Sequence, residues 1–532
     1  MGIYLDPGNE SFKKAVNSDI YIDKTGLIEI LNSSLGKEKC LYSVSRPRRF
    51  GKSMAAGMID AFYSRGCDSR ELFDNLSIGK SEDYCVNLNK YHVLHIDMAT
   101  FLNASKSDED PVELMNKTVL DEFIELYPDI ITGVITTVPK AIEAVWKNDG
   151  IGFVIIIDEW DCIIRDAKND SKLIENYLKY LRGFFKTEES KKFVALGYIT
   201  GILPIKRYEG ESAMNNFVEY TMISPKNLAP FFGFTEKEIE PYLEKYDMPI
   251  EDVRKWYDGY VMETLNPDRS ISYVHMYNPN SIVEAITFNK IESYWKNTGA
   301  FRQLNDYIGL DEKGLKSSVI KMLAGESCSV DVSTFQNDLT SFTSKDDVIT
   351  ALIHMGYLGF DSRTGEAFIP NEEVREVFDS AIKVGNWSEI ADAIRESDEL
   401  LHATWDGDSD KVAAMIEKSH QDYASILEYN DENSLALAIQ MSYYTARKYY
   451  MIVREFPSGK GFADIAFIPK ERGNNPAMIV ELKWDEDADT AINQIVDKKY
   501  TGKLLDFTDN ILLVGINYSK RTKEYSCRIS KM

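Results

Sequence analysis

The stretch KCLYSVSRPRRFGKSMAAGMIDAFYSR, residues 39–65, decides the fold of the first part of the chain. The apolar run KCLYSVS reads as a buried strand, RPRRFGKS as a basic turn and MAAGMIDAFYSR as a helix. The phosphate-loop pattern G-x-x-x-x-G-K-[ST] is half met. Gly51, Lys52 and Ser53 supply its second part, and Arg46 stands where its first glycine belongs. A strand before and a helix after place backbone N–H groups and a helix N-terminus where phosphate oxygens bind. In that setting Lys52 reaches the β- and γ-phosphates of ATP and Ser53 ligates Mg2+. Arg46, Arg48 and Arg49 either add positive charge there or pair with acidic neighbours.

Working outward, further short apolar runs follow: HVLHIDM (92–98), GFVIIIDEWD (152–161), KFVALGYITGI (192–202) and YTMISP (220–225), with helical patterns at 139–147 and 172–186. Strands alternating with helices imply an α/β domain with a mainly parallel sheet. FVIIIDEWD delivers Asp158 and Glu159 at the C-terminal end of a buried strand, where ligands bind in open α/β sheets. Asp158 suits Mg2+, and Glu159 suits orienting or deprotonating an attacking water. Thr200 ends the next strand, where a polar group senses a γ-phosphate. Lys206 and Arg207 follow as transition-state cations or as ordinary turn residues. Arg207 could also reach a neighbouring copy, so a homo-oligomer stays open.

From about 233 to 400 helical patterns dominate. FTEKEIEPYLEKY carries Thr235 as a cap with Glu238 three residues on, and short strand candidates lie near 356–369. The aromatic cluster WYDGY (256–260), with Tyr277 and Trp295, reads as core packing ahead of a base-stacking surface. The acidic stretch ESDELLHATWDGDSD (396–410) is a connection or a solvated helix face.

The region from about 430 reads helix (434–447), strands YYMIVREF, GFADIAFIP and AMIVELKW, helix (487–500) and strand ILLVGINY, an αβββαβ order. Asp464 lies in the second of these strands, and Glu481 and Lys483 in the third. Glu481 and Lys483 are two apart and share a face. A hairpin across KERGNNP brings Asp464 to them. Two carboxylates suit Mg2+, with Lys483 placed to position water and the metal to stabilise charge on a scissile phosphate. Inward charges on apolar strands are costly unless paired or metal-bound; the alternative is an exposed Glu481–Lys483 edge pair.

The chain has 532 residues and a net charge of −24, with 44% hydrophobic and 12% aromatic residues. This excludes bulk disorder and argues for about three domains, since cores stop growing beyond ~250–300 residues. The acidity argues against non-specific coating of nucleic acid. Residues 446–532, however, hold 15 Lys and Arg against 12 Asp and Glu, a local +3 against −27 elsewhere. Lys498, Lys499, Lys503, Lys520, Arg521 and Lys523 make this end basic. The six cysteines are sparse and lack metal spacing, no signal peptide is expected, and no apolar run is long enough to span a membrane. These features point to a cytoplasmic protein with no membrane partner.

YIDKT (21–25), SRPRRFGKS, IIIDEWD and ITGIL resemble the AAA-ATPase-like family of P-loop proteins, whose phosphate loop similarly reads RPRRFGKS. LAPFFGFTEKEI, WYDGY, YNPNSI (277–282), YWKNTG (294–299) and IPNEEVREVF (369–378) resemble its downstream segments. The resemblance implies an additional-strand P-loop ATPase core and a helical region, without naming a substrate. The C-terminal stretch resembles the PD-(D/E)xK nuclease superfamily, with Asp464 as its D and Glu481-Leu482-Lys483 as its ExK. That resemblance implies a restriction-endonuclease-like domain, adds Glu455 (with Glu432 as a rival) as a further acidic position and matches Gln494 and Tyr500 to a helical A-x-x-Q-I…K-x-Y pattern. By family habit it favours DNA over RNA.

The expectation is a P-loop domain over 1–230, a mainly helical domain over 231–400 and a nuclease-like domain over 401–532. Together they would form an ATP-dependent enzyme with an Mg2+-dependent phosphodiesterase. A nucleotide-switched scaffold that binds nucleic acid without cutting is the alternative, and a chaperone-like ATPase a third.

Overall fold

The computed structural model describes all residues except 1, 107–108, 168–169, 206–213, 296–299, 311–312, 337–341, 385–386, 428–431, 460, 472–474, 503 and 507. The chain folds into two compact units: Met1–Ala300 with Ser329–Val377, and Phe301–Cys328 with Phe378–Met532.

The first unit is built on a sheet of β1 (Leu41–Ser45), β2 (His92–Asp97), β3 (Phe153–Asp158), β4 (Val194–Gly201) and β5 (Val218–Tyr220), ordered β2-β3-β4-β1-β5. Every neighbouring pair is parallel. Helices cover both faces of such a sheet, so β1, β3 and β4 are buried along their whole length and read as unbroken apolar runs. β4 lies between β1 and β3, so the phosphate loop and the Asp158 strand flank Thr200. The YTMISP run contributes only its first residue to β5. Thr221 and Ser224 close a turn before Pro225, with the Ser224 N–H donating to Thr221 Oγ1 (3.0 Å), and this ends the strand. Helix α1 (Lys52–Tyr63) starts directly after the loop.

Past this sheet, Thr235 heads a helix as expected, with Glu238 Oε2 accepting the Thr235 N–H (2.7 Å). The antiparallel hairpin β6 (Tyr260–Leu265) and β7 (Ile271–Tyr277) follows. Helix α2 (Lys345–Met355) is capped by Ser344 Oγ, which accepts the Asp347 N–H (3.2 Å). Tyr257, Tyr260, Tyr277 and Trp295 are buried, which makes the WYDGY cluster core.

The second unit carries helices α3 (Ser388–Asp406), α4 (Ser409–Leu427) and α5 (Glu432–Ser442). They precede strands β8 (Tyr450–Ser458), β9 (Gly461–Pro469) and β10 (Ala477–Trp484), then α6 (Ala488–Asp497), β11 (Ile511–Tyr518) and β12 (Tyr525–Lys531). The sheet runs β8-β9-β10-β11-β12, with only β10 and β11 parallel. The expected αβββαβ order is therefore extended by one antiparallel strand, β12. The acidic stretch becomes helix: Leu400, Leu401 and Ala403 are buried, while Glu396 and Glu399 pair with Lys418 and Lys411. The segment 301–328 adds a helix, Leu315–Ala324, that packs on α5. Arg447 donates to the Ala324 carbonyl, and Arg454 pairs with Glu326.

Candidate functional sites

In the first unit the loop after β1 turns on two left-handed residues, Arg49 (φ 69°) and Gly51 (φ 86°). Gly51 has open space where a side chain would begin, so the backbone there is accessible. Lys52 is buried and donates to the carbonyls of Arg46 (3.1 Å) and Pro47 (3.0 Å), with Glu159 Oε1 at 4.0 Å. Burial pulls the Lys52 pKa down, opposed chiefly by Glu159. Ser53 and Arg49 are exposed.

Asp158 is buried at the end of β3, directly opposite Asp97 of β2. Its Oδ1 accepts the N–H of Glu159, which sits at φ 48°. Glu159 Oε2 accepts from Arg165 Nη2 (2.7 Å), and burial raises its pKa against the pull of Lys52. Thr200 is fully buried, and its Oγ1 has no hydrogen-bond partner among the described residues.

Arg46 goes elsewhere than the loop surface. It is wholly buried, Nη1 donating to the carbonyls of Ser45 (2.8 Å) and Tyr220 (3.0 Å), with the guanidinium over the Phe232 ring. Burial lowers its pKa to about 10. Lys206 and Arg207 lie outside the described residues.

Two supporting residues escaped the sequence reading. Asp161 Oδ2 accepts the N–H groups of Ile202 (3.1 Å) and Leu203 (2.9 Å), tying the end of β3 to the turn after β4. Arg165, on the next helical turn, bridges Asp161 and Glu159. The signal available for Asp161 is the DEWD run, which places it three positions after Asp158.

In the second unit the strand register builds the site. Ile465 pairs with Val480 across β9 and β10, so Asp464 lies opposite Glu481. Arg454 pairs with Ile465 and Phe456 with Ala463, so Glu455 falls opposite Asp464 on the other side. Glu455 breaks the ladder there with φ 46° and is exposed. Asp464 Oδ2 accepts the Leu482 N–H (2.7 Å), and Glu481 Oε1 lies 3.3 Å from Lys483 Nζ. Gln494 of α6 donates to the same Glu481 oxygen. Glu481 Oε2 is buried with no hydrogen-bond partner among the described residues. Burial first, and the neighbouring Asp464 second, push the Glu481 pKa up to about 7, opposed by Lys483.

Asp464, Glu481 and Lys483 therefore share the face that α6 covers. The next strand makes room for that helix with Gly515, the register partner of Glu481. A Cβ at Gly515 would lie 2.3 Å from the Ala488 carbonyl and 3.0 Å from Ala491 Cβ. Gly515→Ala is expected to cost about 1–3 kcal/mol of stability by overpacking and to lift Gln494 from Glu481. An unchanged melting temperature would contradict this packing.

Tyr500 is buried beyond α6, with Lys498 Nζ 5.8 Å from its ring. Lys520 instead lies over the Trp484 ring (4.6 Å), which packs with the core of the opposite face. Of the basic group, Lys498 and Lys499 follow directly on α6, while Lys503 lies outside the described residues. Glu432 begins α5, but its side chain is not described.

Among the described residues no three His, Cys, Asp or Glu side chains converge as a ready-made metal cluster, and no helix is long and apolar enough to cross a membrane.

Residues 7–209 match the family model of a predicted AAA-ATPase, the AAA-ATPase-like domain. Residues 431–526 match that of the PD-(D/E)XK nuclease superfamily. The chain thus carries both domains its motifs resembled. It is 22% identical over 550 residues to an uncharacterized protein in the vnfD 5′ region of Azotobacter chroococcum mcd 1, covering 98% of this chain and 97% of that protein. The Aeropyrum pernix ORC2 protein, solved in ADPNP-ADP complexes, aligns at 11% identity with a TM-score of 0.33, over 70% of this chain and 98% of the other.

Proposed function

We propose that the protein binds and hydrolyses ATP at the loop 46–53 and cleaves nucleic acid, DNA ahead of RNA, at Asp464, Glu481 and Lys483, with Mg2+ at both sites. In this reading residues 1–230 handle nucleotide, 231–400 couple its state to cleavage and 401–532 cut.

The observation that carries the reading is the partnerless, buried Oε2 of Glu481 opposite Asp464. A buried carboxylate oxygen with nothing to bond is costly; a proton relieves that cost at low pH, and a bound cation relieves it where the group is ionised. Two carboxylates fit Mg2+, which keeps most of its own waters; Asp464 and Glu481 would hold it, with Glu455 as the third acidic candidate. Bound there, Mg2+ supplies Lewis acidity to a phosphodiester and lowers the pKa of a coordinated water. Lys483 contributes a fixed positive charge on the same face, suited to a developing phosphate charge. Gln494 orients Glu481, and Tyr500 fills the space beneath Lys498.

At the other site Lys52 and the loop N–H groups hold phosphates, Ser53 and Asp158 would hold Mg2+, and Glu159, steered by Arg165, orients water. Thr200 is the γ-phosphate sensor and Arg49 a further phosphate cation. Arg46 supports the loop from beneath, and Arg207 is the candidate for a second copy's phosphate.

The test is incubation of the purified protein with plasmid DNA and with RNA, with and without Mg2+ and ATP. Nucleotide binding without any cleavage, in Mg2+ or Mn2+, would favour a nucleotide-switched scaffold instead.

The Glu481 carboxyl adds a pH signature. Its folded pKa, about 7, lies above the ordinary carboxylate value, so it favours folding at low pH. That contribution is lost as pH rises through about 7. A divalent cation takes the ionised form and opposes the loss. Mg2+ is therefore expected to raise the melting temperature little at about pH 5.5 and clearly at about pH 8. A pH-independent Mg2+ effect would contradict the assignment.

A further inference from the structure

Around the carboxylate site of the second unit, contacts close into a rim, and one member of that rim has no part in holding metal. From Asp464 the rim passes to Glu481, opposite it in the sheet, and on to Gln494 of α6, which donates to Glu481. One helical turn further lies Lys498, whose N–H donates to the Gln494 carbonyl (3.0 Å). The Lys498 stem then runs past Gly461 of β9, where a Cβ would lie 3.8 Å from Lys498 Cδ and 3.1 Å from the Tyr500 hydroxyl. Phe462 follows Gly461, and Asp464 is two residues on, about 7 Å along the strand. Phe462 therefore stands between a cation and a carboxylate of the candidate metal site.

Phe462 is 62% exposed, whereas Ala463 beside it is fully buried. A lone apolar side chain on a surface is ordinary, but this one leaves a backbone that is held in place. Gly459, at φ 59°, has no room for a Cβ against the carbonyls of Lys498 and Lys499, and Lys499 is itself left-handed at φ 56°. The β8–β9 turn and the end of α6 are thus pressed together, backbone to backbone. Lys498 and Lys499 are exposed, and among the described residues neither makes an ion pair. A ring left in water forfeits the gain of burial, and here it does so beside two exposed ammonium groups and the carboxylate pair.

We propose that Phe462, Lys498 and Lys499 form a lip that feeds the nuclease site with single-stranded nucleic acid: Phe462 stacks on an unpaired base, and the two lysines neutralise phosphates of the same strand. The inference rests on the reading of Asp464, Glu481 and Lys483 as a nuclease site. A base inside a duplex offers its edges in the grooves, whereas an unpaired base offers its face, which is what a ring can stack on. Every base has such a face, so the lip selects unpaired structure and not sequence. The lysines supply the salt-sensitive part of binding. Both belong to the stretch 446–532, where positive charge exceeds negative in an otherwise acidic chain.

The test is fluorescence anisotropy of the full-length protein in chelator, so that nothing is cut. The probes are a labelled DNA single strand of mixed sequence, its duplex, and the RNA strand of the same sequence. Phe462→Ala is expected to weaken single-strand binding about tenfold, within the range of one base–aromatic stack, and to leave duplex binding nearly unchanged. Phe462→Trp should keep the affinity, with its added indole fluorescence quenched by the single strand. Lys498→Gln should lower the slope of log affinity against log salt by about 0.7, the single-strand value for one phosphate. Whichever of the DNA and RNA strands wild type binds tighter identifies the substrate, and the Phe462→Ala loss is read on that strand. Wild-type single-strand affinity in Phe462→Ala, or an equal loss on the duplex, overturns the proposal. Unchanged binding together with a smaller oligomeric mass in Phe462→Ala overturns it too and makes the ring a contact between copies of the chain. If wild type neither binds nor, with Mg2+, cuts any of the three probes, the nuclease reading itself fails; if it cuts and Phe462→Ala binds as wild type does, only this inference fails.

Discussion

Asp464→Ala is expected to abolish the proposed metal-dependent cleavage of nucleic acid, and Lys483→Ala to lower it by about 10²–10³-fold, the usual loss for one preorganised electrostatic group. The two losses differ in kind. Asp464 stands opposite Glu481 and supplies half of the carboxylate pair. It also accepts the Leu482 N–H, so alanine leaves a strand donor unpaired at about 1–3 kcal/mol. Asp464→Asn is the cleaner variant, since it keeps an acceptor and removes only the charge. Removing that charge also relieves the repulsion that raises the Glu481 pKa, so Glu481 ionises more readily. The lost activity therefore cannot come from a protonated Glu481, and raising the pH should not restore it. Lys483→Ala acts in the opposite sense. Without the ammonium 3.3 Å from Glu481 Oε1, the carboxyl rises further, and part of the lost rate should return at higher pH. Cleavage rates of the three variants between about pH 6 and 9 check this. Wild-type rates in Asp464→Asn, or pH rescue of that variant, would refute the assignment.

Lys52→Ala is expected to weaken the proposed ATP binding at the loop strongly. Losing one partner of a buried charged contact costs about 2–5 kcal/mol, or roughly thirtyfold to a few thousandfold in affinity. The fold should survive, because the substitution removes a buried ammonium along with its bonds to the Arg46 and Pro47 carbonyls. Calorimetric titration with ATP, alongside a melting curve, measures both. Undiminished affinity would refute the phosphate-loop reading.

Much of the first site could be read in advance because its information is local. A strand, a turn ending Gly51-Lys52-Ser53 and a helix are contiguous, and a buried strand ending in Asp158 announces itself by its apolar run. What contiguity cannot reveal is where a long side chain goes. Arg46 occupies a glycine position of the loop pattern, yet it runs beneath the loop to the Tyr220 carbonyl, a partner 174 residues away. In the second unit the D…ExK pattern and helix–strand order sufficed for the αβββαβ core, and β12 was missed because YSCRISK mixes charge with apolar residues as an edge strand does. Gly515 did carry a signal, a glycine inside an apolar strand, that marks close approach of another element.

The covalent path of the second unit bears on how the protein is made. Arg447 and Arg454 find their partners at Ala324 and Glu326, 123 and 128 residues earlier in the chain. A ribosome adding about 5–20 residues per second delivers those partners roughly 6 to 25 seconds apart. Through that interval the helix Leu315–Ala324, with Leu315, Val319, Ile320, Met322 and Leu323 all destined for burial, has no completed surface to pack on. The second unit therefore cannot mature domain by domain behind the exit tunnel. That helix cannot reach its packed state until α5, Arg447 and Arg454 have been made.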